Sequence, residues 1–250
     1  MARYFMRLSF RGAPFHGWQI QPGAVTVQQT IEEALGTVLR RPTAIVGAGR
    51  TDAGVNARLM VAHFDTDTPL SIPLDRLVSA INALTGRDIA IHSIEEVASD
   101  LHARFSATSR TYRYYALPGR SAFFHPLVWQ APAGLDYQAM NAAASLLLDT
   151  EDFTSFAKLH SDAKTNICKV SRAEWKEWTA MDGTGGMFFE ITADRFLRNM
   201  VRAVVGTLVE VGRGKMSVDE FARVITARNR CAAGTSMPPQ ALYLWDVKYE

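Results

Sequence analysis

One aspartate in the sequence stands where a carboxylate could take part in a reaction. Asp52 lies in the segment Gly49-Arg50-Thr51-Asp52-Ala53-Gly54-Val55, between two glycines that let the backbone turn sharply. Because predicted strands flank this segment, we expect Asp52 at a loop tip, next to the cationic Arg50. A carboxylate there can act as a nucleophile, or it can cap the N–H groups of its own turn, as turn aspartates commonly do. The segment alone leaves both interpretations open.

Three other segments resemble known binding motifs but lack residues that define those motifs. Residues 47–52 begin like a dinucleotide-binding loop, but an aspartate occupies the third glycine position and would repel a pyrophosphate. Residues 212–216 resemble the end of a phosphate-binding loop, yet a methionine replaces the Ser or Thr that binds magnesium. Residues 63–67 offer one histidine and two aspartates, without the further ligands that a metal site needs. The sequence therefore predicts neither a cofactor nor a metal.

Further motifs accompany the Asp52 segment in order across nearly the whole chain. They are Gly17-Trp18-Gln19-Ile20-Gln21, His102-Ala103-Arg104-Phe105-Ser106-Ala107-Thr108, Arg110-Thr111-Tyr112-Arg113-Tyr114, Asp152-Phe153-Thr154-Ser155-Phe156, Asn199-Met200-Val201-Arg202 with Val205-Gly206, and Leu242-Tyr243-Leu244. Together with the Asp52 segment they resemble the TruA family of pseudouridine synthases. Three residues depart from the family pattern: Asn56 and Asn199 replace a usual histidine, and Ala241 replaces a common glycine. These departures bear on local loop packing rather than on the reaction.

The resemblance implies an enzyme that isomerises uridine to pseudouridine in the anticodon stem-loop of tRNA, at positions 38, 39 and 40, with Asp52 as the nucleophile. This reaction breaks the N1–C1′ glycosidic bond, rotates the uracil and joins its C5 to C1′, so it needs no redox cofactor, metal or group donor. Asp52 could attack C1′ or add to C6 of the ring, and the sequence does not choose. The family places Arg202 against Asp52, and an opposing charge typically lowers an aspartate pKa by roughly 1–3 units.

The resemblance also assigns substrate contacts. Tyr112 would stack on the base removed from its helix, and its phenol can relay a proton; the alternative is a strand tyrosine that belongs to the core. Arg50 would position a phosphate or ribose of the target nucleotide, or be an ordinary surface charge. Arg58 is a further expected RNA contact.

A basic stretch near the C-terminus is the remaining candidate for RNA binding. Residues 195–230 carry eight Arg or Lys against three acidic side chains. Arg195, Arg198 and Arg202 are spaced i, i+3 and i+7, which on a helix places all three on one stripe. Such a stripe suits a phosphate backbone, although charge alone fits a solvated helical face equally well.

Hydrophobic spacing predicts the elements that position these residues. The predicted strands are residues 4–10, 43–48, 59–65, 89–97, 110–117, 167–178, 187–193 and 242–249. The predicted helices are residues 25–40, 73–84, 137–148, 196–211 and 218–227. This order favours an α+β fold with mainly antiparallel sheets over a regular parallel arrangement. We predict two similar halves, residues 1–104 and 105–250. The resemblance implies that both are ferredoxin-like (RRM-like), that their sheets join, and that a basic cleft separates them.

The composition limits the class of protein and the cellular location that we expect. The 250 residues are 48% hydrophobic and 21% charged, with a net charge of +2, as in ordinary globular proteins. No apolar run approaches the length of a membrane span, and the N-terminus leads directly into a strand without a targeting segment. Cys168 and Cys231 form neither a CxxC nor a His-associated metal motif. We therefore expect a cytoplasmic protein without membrane association, and the resemblance implies a homodimer that binds tRNA.

Two other classes of protein remain as alternatives. A non-catalytic RNA-binding protein built on RRM-like halves would spread aromatic residues over a sheet face and would not need an aspartate between glycines. A carboxylate-dependent glycosidase would pair a second acid with Asp52, and the sequence shows no convincing second acid nearby.

Overall fold

The computed structural model of the protein describes residues 1–159 and 164–249. Its strands are β1 (Ala2–Phe10), β2 (Val46–Gly47), β3 (Asn56–Thr66), β4 (Ile89–Val97), β5 (Ser109–Pro118), β6 (Trp129–Ala131), β7 (Val170–Thr179), β8 (Gly185–Ala193) and β9 (Leu242–Lys248). Its α-helices are α1 (Val27–Leu39), α2 (Leu74–Leu84), α3 (Tyr137–Ser145), α4 (Met200–Gly212) and α5 (Val218–Ala227). They form two compact units: unit one is Met1–Thr108 with Leu244–Glu250, and unit two is Ser109–Tyr243.

The predicted elements are all present, and the α+β class with mainly antiparallel strands is confirmed. Strand β4 and helix α5 have the predicted bounds. The largest error is at α4, which begins at Met200 instead of residue 196. Helix α3 ends at Ser145, where a 3-10 turn replaces its predicted last turn. Strand β6, which runs parallel to β5, was not predicted because it has only three residues.

Unit one is a sheet in which β1 lies between β4 and β3, with antiparallel pairing on both sides. Its helices bury their apolar stripes, Ile31 and Leu35 from α1 and Leu77 and Ile81 from α2. Strand β2 pairs with the middle of β3, at His63 and Ala62. The chain between β2 and the start of β3 contains Asp52, so the Asp52 loop connects two paired strands.

In unit two the strands β5, β8 and β7 pair antiparallel in that order, and helix α4 lies at the centre of the core. All residues of α4 are buried except Arg202 and Glu210, as expected for a helix surrounded by other elements. Successive side chains of a strand point to opposite faces. On β5 this alternation puts the fully buried Tyr114 on the core face, and Tyr112 two residues earlier on the same face.

Among residues 1–159 and 164–249, no helix combines the length and the apolar character that crossing a bilayer requires.

Candidate active site

The Asp52 loop in unit one is a tight turn. The Val55 N–H donates to the carbonyl oxygen of Asp52 at 3.1 Å, and Gly54 between them has a φ of +79°. Glycine adopts this left-handed conformation without a steric cost. The Asp52 side chain is half-buried, between the buried Thr51 and the exposed Ala53. The loop position predicted from the two glycines is therefore confirmed.

Residues 15–18, which precede α1, contact the Asp52 loop and hold it in place. The Trp18 N–H donates to the carbonyl of Thr51 at 3.2 Å, and the Gly54 N–H donates to the carbonyl of Phe15 at 3.4 Å. At Gly17 the φ is +90°, and a Cβ atom would lie 2.5 Å from the carbonyl oxygen of Thr51. Only glycine fits this approach, so the Gly17-Trp18 motif positions the Asp52 loop.

Two of the departures from the family pattern have local explanations. The buried Asn56 accepts a hydrogen bond from the Gly12 N–H through Oδ1, at 2.8 Å, and so ties the end of the Asp52 loop to the same segment. Ala241 is fully buried at the end of a 3-10 turn, in a conformation that does not require glycine. Both residues fit the loops that contain them.

Thr51, next to Asp52, carries a second unusual feature. Its Oγ1 is buried and has no hydrogen-bond partner among the described residues, a state shared only by the indole nitrogen of Trp175. A buried hydroxyl without a partner costs free energy, and such groups call for an explanation in terms of function or bound water. Thr51 is not predictable as a site residue from the sequence, since only the fold shows that its hydroxyl is buried.

The two other predicted site residues of unit one are exposed cations. Arg50 has no hydrogen bond or ion pair to any residue that the structure describes. The guanidinium of Arg58 lies 4.8 Å from the ring centre of Trp245, and its Nη1 is 3.4 Å from the carbonyl oxygen of the same residue. Arg58 is therefore held by a cation–π contact while its charge stays accessible to solvent.

The possible metal ligands on β3 have other partners. The Arg3 guanidinium makes two hydrogen bonds to Asp65, each 2.8 Å, and holds the pKa of that carboxyl below its usual range. His63 is buried, accepts the Ala103 N–H through Nδ1 at 3.2 Å, and has a pKa lowered by burial to about 4. No group of three or more His, Cys, Asp or Glu within residues 1–159 and 164–249 is arranged to hold a metal ion.

Tyr112 and Tyr114 lie on the core face of β5 in unit two. The half-buried Tyr112 meets Phe196 edge to face, with ring centres 5.0 Å apart. The fully buried Tyr114 donates through its hydroxyl to the carbonyl of Pro238 at 3.1 Å, and burial raises its pKa far above the usual value. Tyr114 therefore supports the strand, and Tyr112 is the tyrosine that solvent reaches.

Arg202 stands in the first turn of α4 and is half-buried. Its Nε donates to the carbonyl of Met237 at 2.6 Å, and the Met237 N–H donates back to the carbonyl of Arg202 at 3.1 Å. Asn199 donates through Nδ2 to the Ser236 hydroxyl at 2.6 Å and has a φ of 66°, a left-handed conformation that asparagine tolerates better than most residues. The third departure from the family pattern thus fixes the start of α4.

Residues 233–238 form a segment that contacts α4 and Arg202 and that no sequence motif singled out. Gly206 of α4 lets the carbonyl of Thr235 approach so closely that any side chain at this position would collide with it. The Gly234 N–H donates to Thr207 Oγ1 at 2.9 Å, and Arg230 donates to the carbonyl of Gly234 at 3.1 Å. The turn-forming residues Gly234, Pro238 and Pro239 signal a loop, but nothing local indicates that this loop binds Arg202.

The predicted helical stripe of three arginines is wrong. Because the left-handed Asn199 interrupts the chain, α4 begins at Met200, and Arg195 and Arg198 lie in the preceding loop. Arg195 is half-buried, with Nη1 3.4 Å from the carbonyl of Thr165, whereas the Arg198 side chain is exposed. The i, i+3, i+7 spacing therefore does not align these side chains.

The basic excess of residues 195–230 is partly neutralised inside unit two. Three of its arginines have acidic partners; the pairs are Arg213–Glu210 at 2.9 Å, Arg223–Glu220 at 3.8 Å and Arg228–Asp152 at 3.1 Å. Arg230 is bound to backbone carbonyls and to Ser236. The charge count therefore overstates how much positive charge residues 195–230 offer to an RNA phosphate.

Comparisons with known proteins converge on one family. Residues 143–250 match the family described as tRNA pseudouridine synthase. The tRNA pseudouridine synthase A of Parabacteroides distasonis is 53% identical over 100% of this chain and 96% of its own length. Its counterpart from Bacteroides fragilis is 50% identical over 99% of this chain and 96% of its own length, and that from Bacillus pumilus is 40% identical over 97% of both. The solved structure of Thermus thermophilus Cse3 bound to RNA aligns over 85% of this chain and 97% of its own, with 10% sequence identity and a TM-score of 0.24. A TM-score this low does not establish a shared fold.

Proposed function

Because this chain belongs to the tRNA pseudouridine synthase family and is an isomerase that forms pseudouridine in tRNA, we propose that Asp52 is its nucleophile. The observation that carries the proposal is the construction of the Asp52 loop. Gly17 and Trp18 belong to one motif of the resemblance and contact the carbonyl of Thr51, which belongs to the Asp52 segment. This contact fixes the position of Asp52 in its glycine turn. A capping role alone would not need this second segment.

Covalent catalysis by a carboxylate would divide the isomerisation into easier steps. In one route Asp52 bonds to C1′ as the N1–C1′ bond breaks and the uracil leaves as an anion. The ring then turns, C5 bonds to C1′ and displaces the carboxylate, C5 loses its proton and N1 gains one. In the other route the carboxylate adds to C6 and the C5=C6 electron pair moves onto the C4 carbonyl. After the N1–C1′ bond breaks and C5 bonds to C1′, N1 gains a proton, and loss of the C5 proton expels the carboxylate and restores the C5=C6 double bond. Both routes conserve all atoms and electrons, so neither consumes a co-substrate.

The remaining site residues bind the substrate or support Asp52. Tyr112 stacks on the flipped uracil, and Arg202 supplies a positive charge for the Asp52 carboxylate. Arg50 contacts the ribose or phosphate of the target nucleotide. Arg58, Arg195 and Arg198 contact the RNA backbone, where cations supply most of the affinity that is independent of sequence.

The proposed targets are the uridines at positions 38, 39 and 40 in the anticodon stem-loop of tRNA. A tRNA arm is large compared with one chain's site, so the proposal includes a cytoplasmic homodimer whose two chains, each with ferredoxin-like halves, share the RNA surface. Sedimentation of micromolar protein should give the mass of two chains. A fully active monomer would contradict the shared surface.

The direct test uses purified protein and unmodified tRNA transcripts. One transcript carries uridine at positions 38–40, and a matched control carries cytidine there with compensating changes in the stem. Chemical mapping of pseudouridine should show modification only in the first transcript, with no added nucleotide or reductant and in the presence of EDTA. Pseudouridine at other positions would refute the proposed target, and loss of activity in EDTA that zinc restores would refute the metal-free mechanism.

A further inference from the structure

The loop between β4 and β5 presents an aromatic ring to solvent. The Phe105 side chain is 75% exposed, although it belongs to a unit whose other phenylalanines are buried. Exposing a large apolar ring gives up the free energy that burial would supply. Because single exposed rings also occur without a partner, the surroundings of Phe105 decide whether a ligand covers it.

The loop does not leave this ring loose. The Arg104 and Phe105 N–H groups both donate to His102 Nδ1, at 3.1 and 3.2 Å, and the Ser106 N–H donates to the His102 carbonyl at 2.9 Å. Ser106 Oγ accepts the His102 N–H at 2.9 Å. Every N–H from Phe105 and its two neighbours is thus bound within the loop, which fixes the backbone that carries the ring.

The same loop is anchored to the core of unit one. The Ala103 N–H donates to the buried His63, and the Ala103 carbonyl accepts the Tyr249 hydroxyl at 2.7 Å. The Arg3 Nη1 donates to the Leu101 carbonyl at 2.9 Å. These contacts make Phe105 a preorganised ring, for which a ligand pays little ordering entropy.

Aromatic and cationic groups surround the ring. The His102 ring lies 4.4 Å from the Phe105 ring, and the guanidinium of the exposed Arg104 lies 5.5 Å from its centre. An exposed aromatic face beside an arginine is the combination that binds unpaired nucleotides, because the ring stacks on the base and the cation meets the phosphate. A tRNA supplies both a base and a phosphate, so it matches both the ring and the cation.

We propose that Phe105 is a stacking platform for an unpaired base of the bound tRNA, with Arg104 facing the phosphate of the same or the next nucleotide. This inference rests on the tRNA substrate of the proposed function and adds a base contact outside the Asp52 loop. Stacking accepts any base, so Phe105 contributes to affinity across many tRNAs and not to the choice of the target uridine.

The test measures affinity separately from chemistry. Phe105→Ala should weaken the binding of an unmodified tRNA transcript about fivefold or more. Phe105→Tyr should bind like the wild type, and Phe105→Leu should resemble Phe105→Ala because leucine is apolar but cannot stack. The dependence of affinity on salt and the single-turnover rate at saturating protein should stay unchanged in all three. Binding does not require pseudouridine formation, so a failure of the catalytic proposal would appear in the rate alone.

Two controls make the outcome decisive. Phe123 is 78% exposed in unit two and makes no ring contact with the described residues, so Phe123→Ala should leave tRNA affinity unchanged. The Phe105→Ala effect should also vanish on a blunt RNA duplex of equal length, which offers no unpaired base. Equal weakening in Phe105→Ala and Phe123→Ala, wild-type affinity in Phe105→Ala or Phe105→Leu, or equal weakening on duplex and tRNA would each overturn the proposal.

Discussion

The Arg202 guanidinium is fixed by the backbone of Met237, which lies 35 residues further along the chain: Nε donates to the Met237 carbonyl at 2.6 Å. The return bond from the Met237 N–H to the Arg202 carbonyl makes the contact reciprocal. A planar guanidinium held through Nε keeps its two Nη groups in a known orientation. The bond to Met237 therefore sets the plane of the guanidinium and the direction of its Nη groups.

Replacing Arg202 should therefore damage chemistry more than binding. We expect Arg202→Ala to retain most tRNA affinity while the single-turnover rate collapses, because in the proposed site Arg202 supplies the positive charge for Asp52. Arg202→Lys keeps the charge but not the planar fork, and it should not restore the rate. Loss of the charged hydrogen bond to Met237 should also lower the free energy of unfolding by about 1–3 kcal/mol. Arg213→Ala, at the other end of α4, is the control; a normal rate in Arg202→Ala would remove Arg202 from the site.

Asp52→Asn should abolish turnover and leave folding and tRNA binding intact. Asparagine preserves the size of the side chain but cannot serve as the same nucleophile, so the rate should fall by a factor of about a thousand or more. The protein must be checked for deamidation, which would regenerate the aspartate. Asp67→Asn, at a carboxylate that is 96% exposed in the same unit, should keep wild-type turnover. Substantial activity in Asp52→Asn would show that another group is the nucleophile.

Substitutions of Tyr112 should separate stacking from proton transfer. Its ring meets Phe196 edge to face, so we expect Tyr112→Phe to preserve that contact and most of the tRNA affinity. Tyr112→Leu should lose about 1–3 kcal/mol of binding. If the phenol also relays a proton, Tyr112→Phe should bind normally and turn over slowly. Tyr115→Phe, on the opposite face of β5, is the matched control. Equal activity in all the variants would show that Tyr112 is a structural residue of the core without a role at the substrate.

Substitutions of the two arginines before α4 should differ in their effect on the salt dependence of RNA binding. Arg198 is exposed, so Arg198→Gln should flatten the dependence of log K on log salt by roughly one unit, the loss of one phosphate contact. Arg195 is half-buried against Thr165, so Arg195→Gln should have a smaller effect. Neither change should alter the single-turnover rate at saturating protein. Arg223→Gln serves as a control at an exposed, paired arginine, and an unchanged slope in Arg198→Gln would exclude its phosphate contact.

Unit one should lose stability in mild acid through His63. Burial lowers the pKa of this histidine from 6.5 to about 4, so the unfolded chain binds the proton more readily. The free energy of unfolding should fall as the pH drops from about 6.5 towards 4, by roughly 3 kcal/mol at most. Protonation would also remove the Nδ1 acceptor of the Ala103 N–H.

Urea titrations between pH 6.5 and 5 separate the histidine effect from that of carboxylates such as Asp65 and Glu190, whose lowered pKa values make them lose their contribution only in stronger acid. His102, whose pKa burial also lowers, contributes in the same direction, so the His63 share is the difference between the wild type and a His63 variant. His63→Gln should be less stable at pH 7 and show a flatter dependence on pH. His125→Gln, at an exposed histidine of unit two, should keep the wild-type dependence. Identical slopes in the wild type and His63→Gln would assign the acid sensitivity to other groups.

Where local signals agree, the sequence was sufficient. Helix α5 has the predicted bounds because Ser217 and Glu220 form a capping box at its start, which is a signal carried by residues three positions apart. The Asp52 turn was predictable for the same reason, since Gly54 lies two residues away and permits the left-handed conformation that the turn needs. The nature of the reaction also came from the sequence, through motifs that resemble one enzyme family.

Other features depended on contacts between residues that are far apart in the chain. The apolar spacing of residues 196–211 continues through Phe196 and Leu197, so periodicity alone extends α4 backwards. The helix instead begins after Asn199, whose side chain binds Ser236, a residue 37 positions away. For this reason Arg195 and Arg198 lie outside the helix that would have aligned them with Arg202. The hydrogen bond from Arg202 to Met237 could not be predicted from the sequence either. Hydrogen bonds across such separations form only when the whole core has closed, and no local pattern records them.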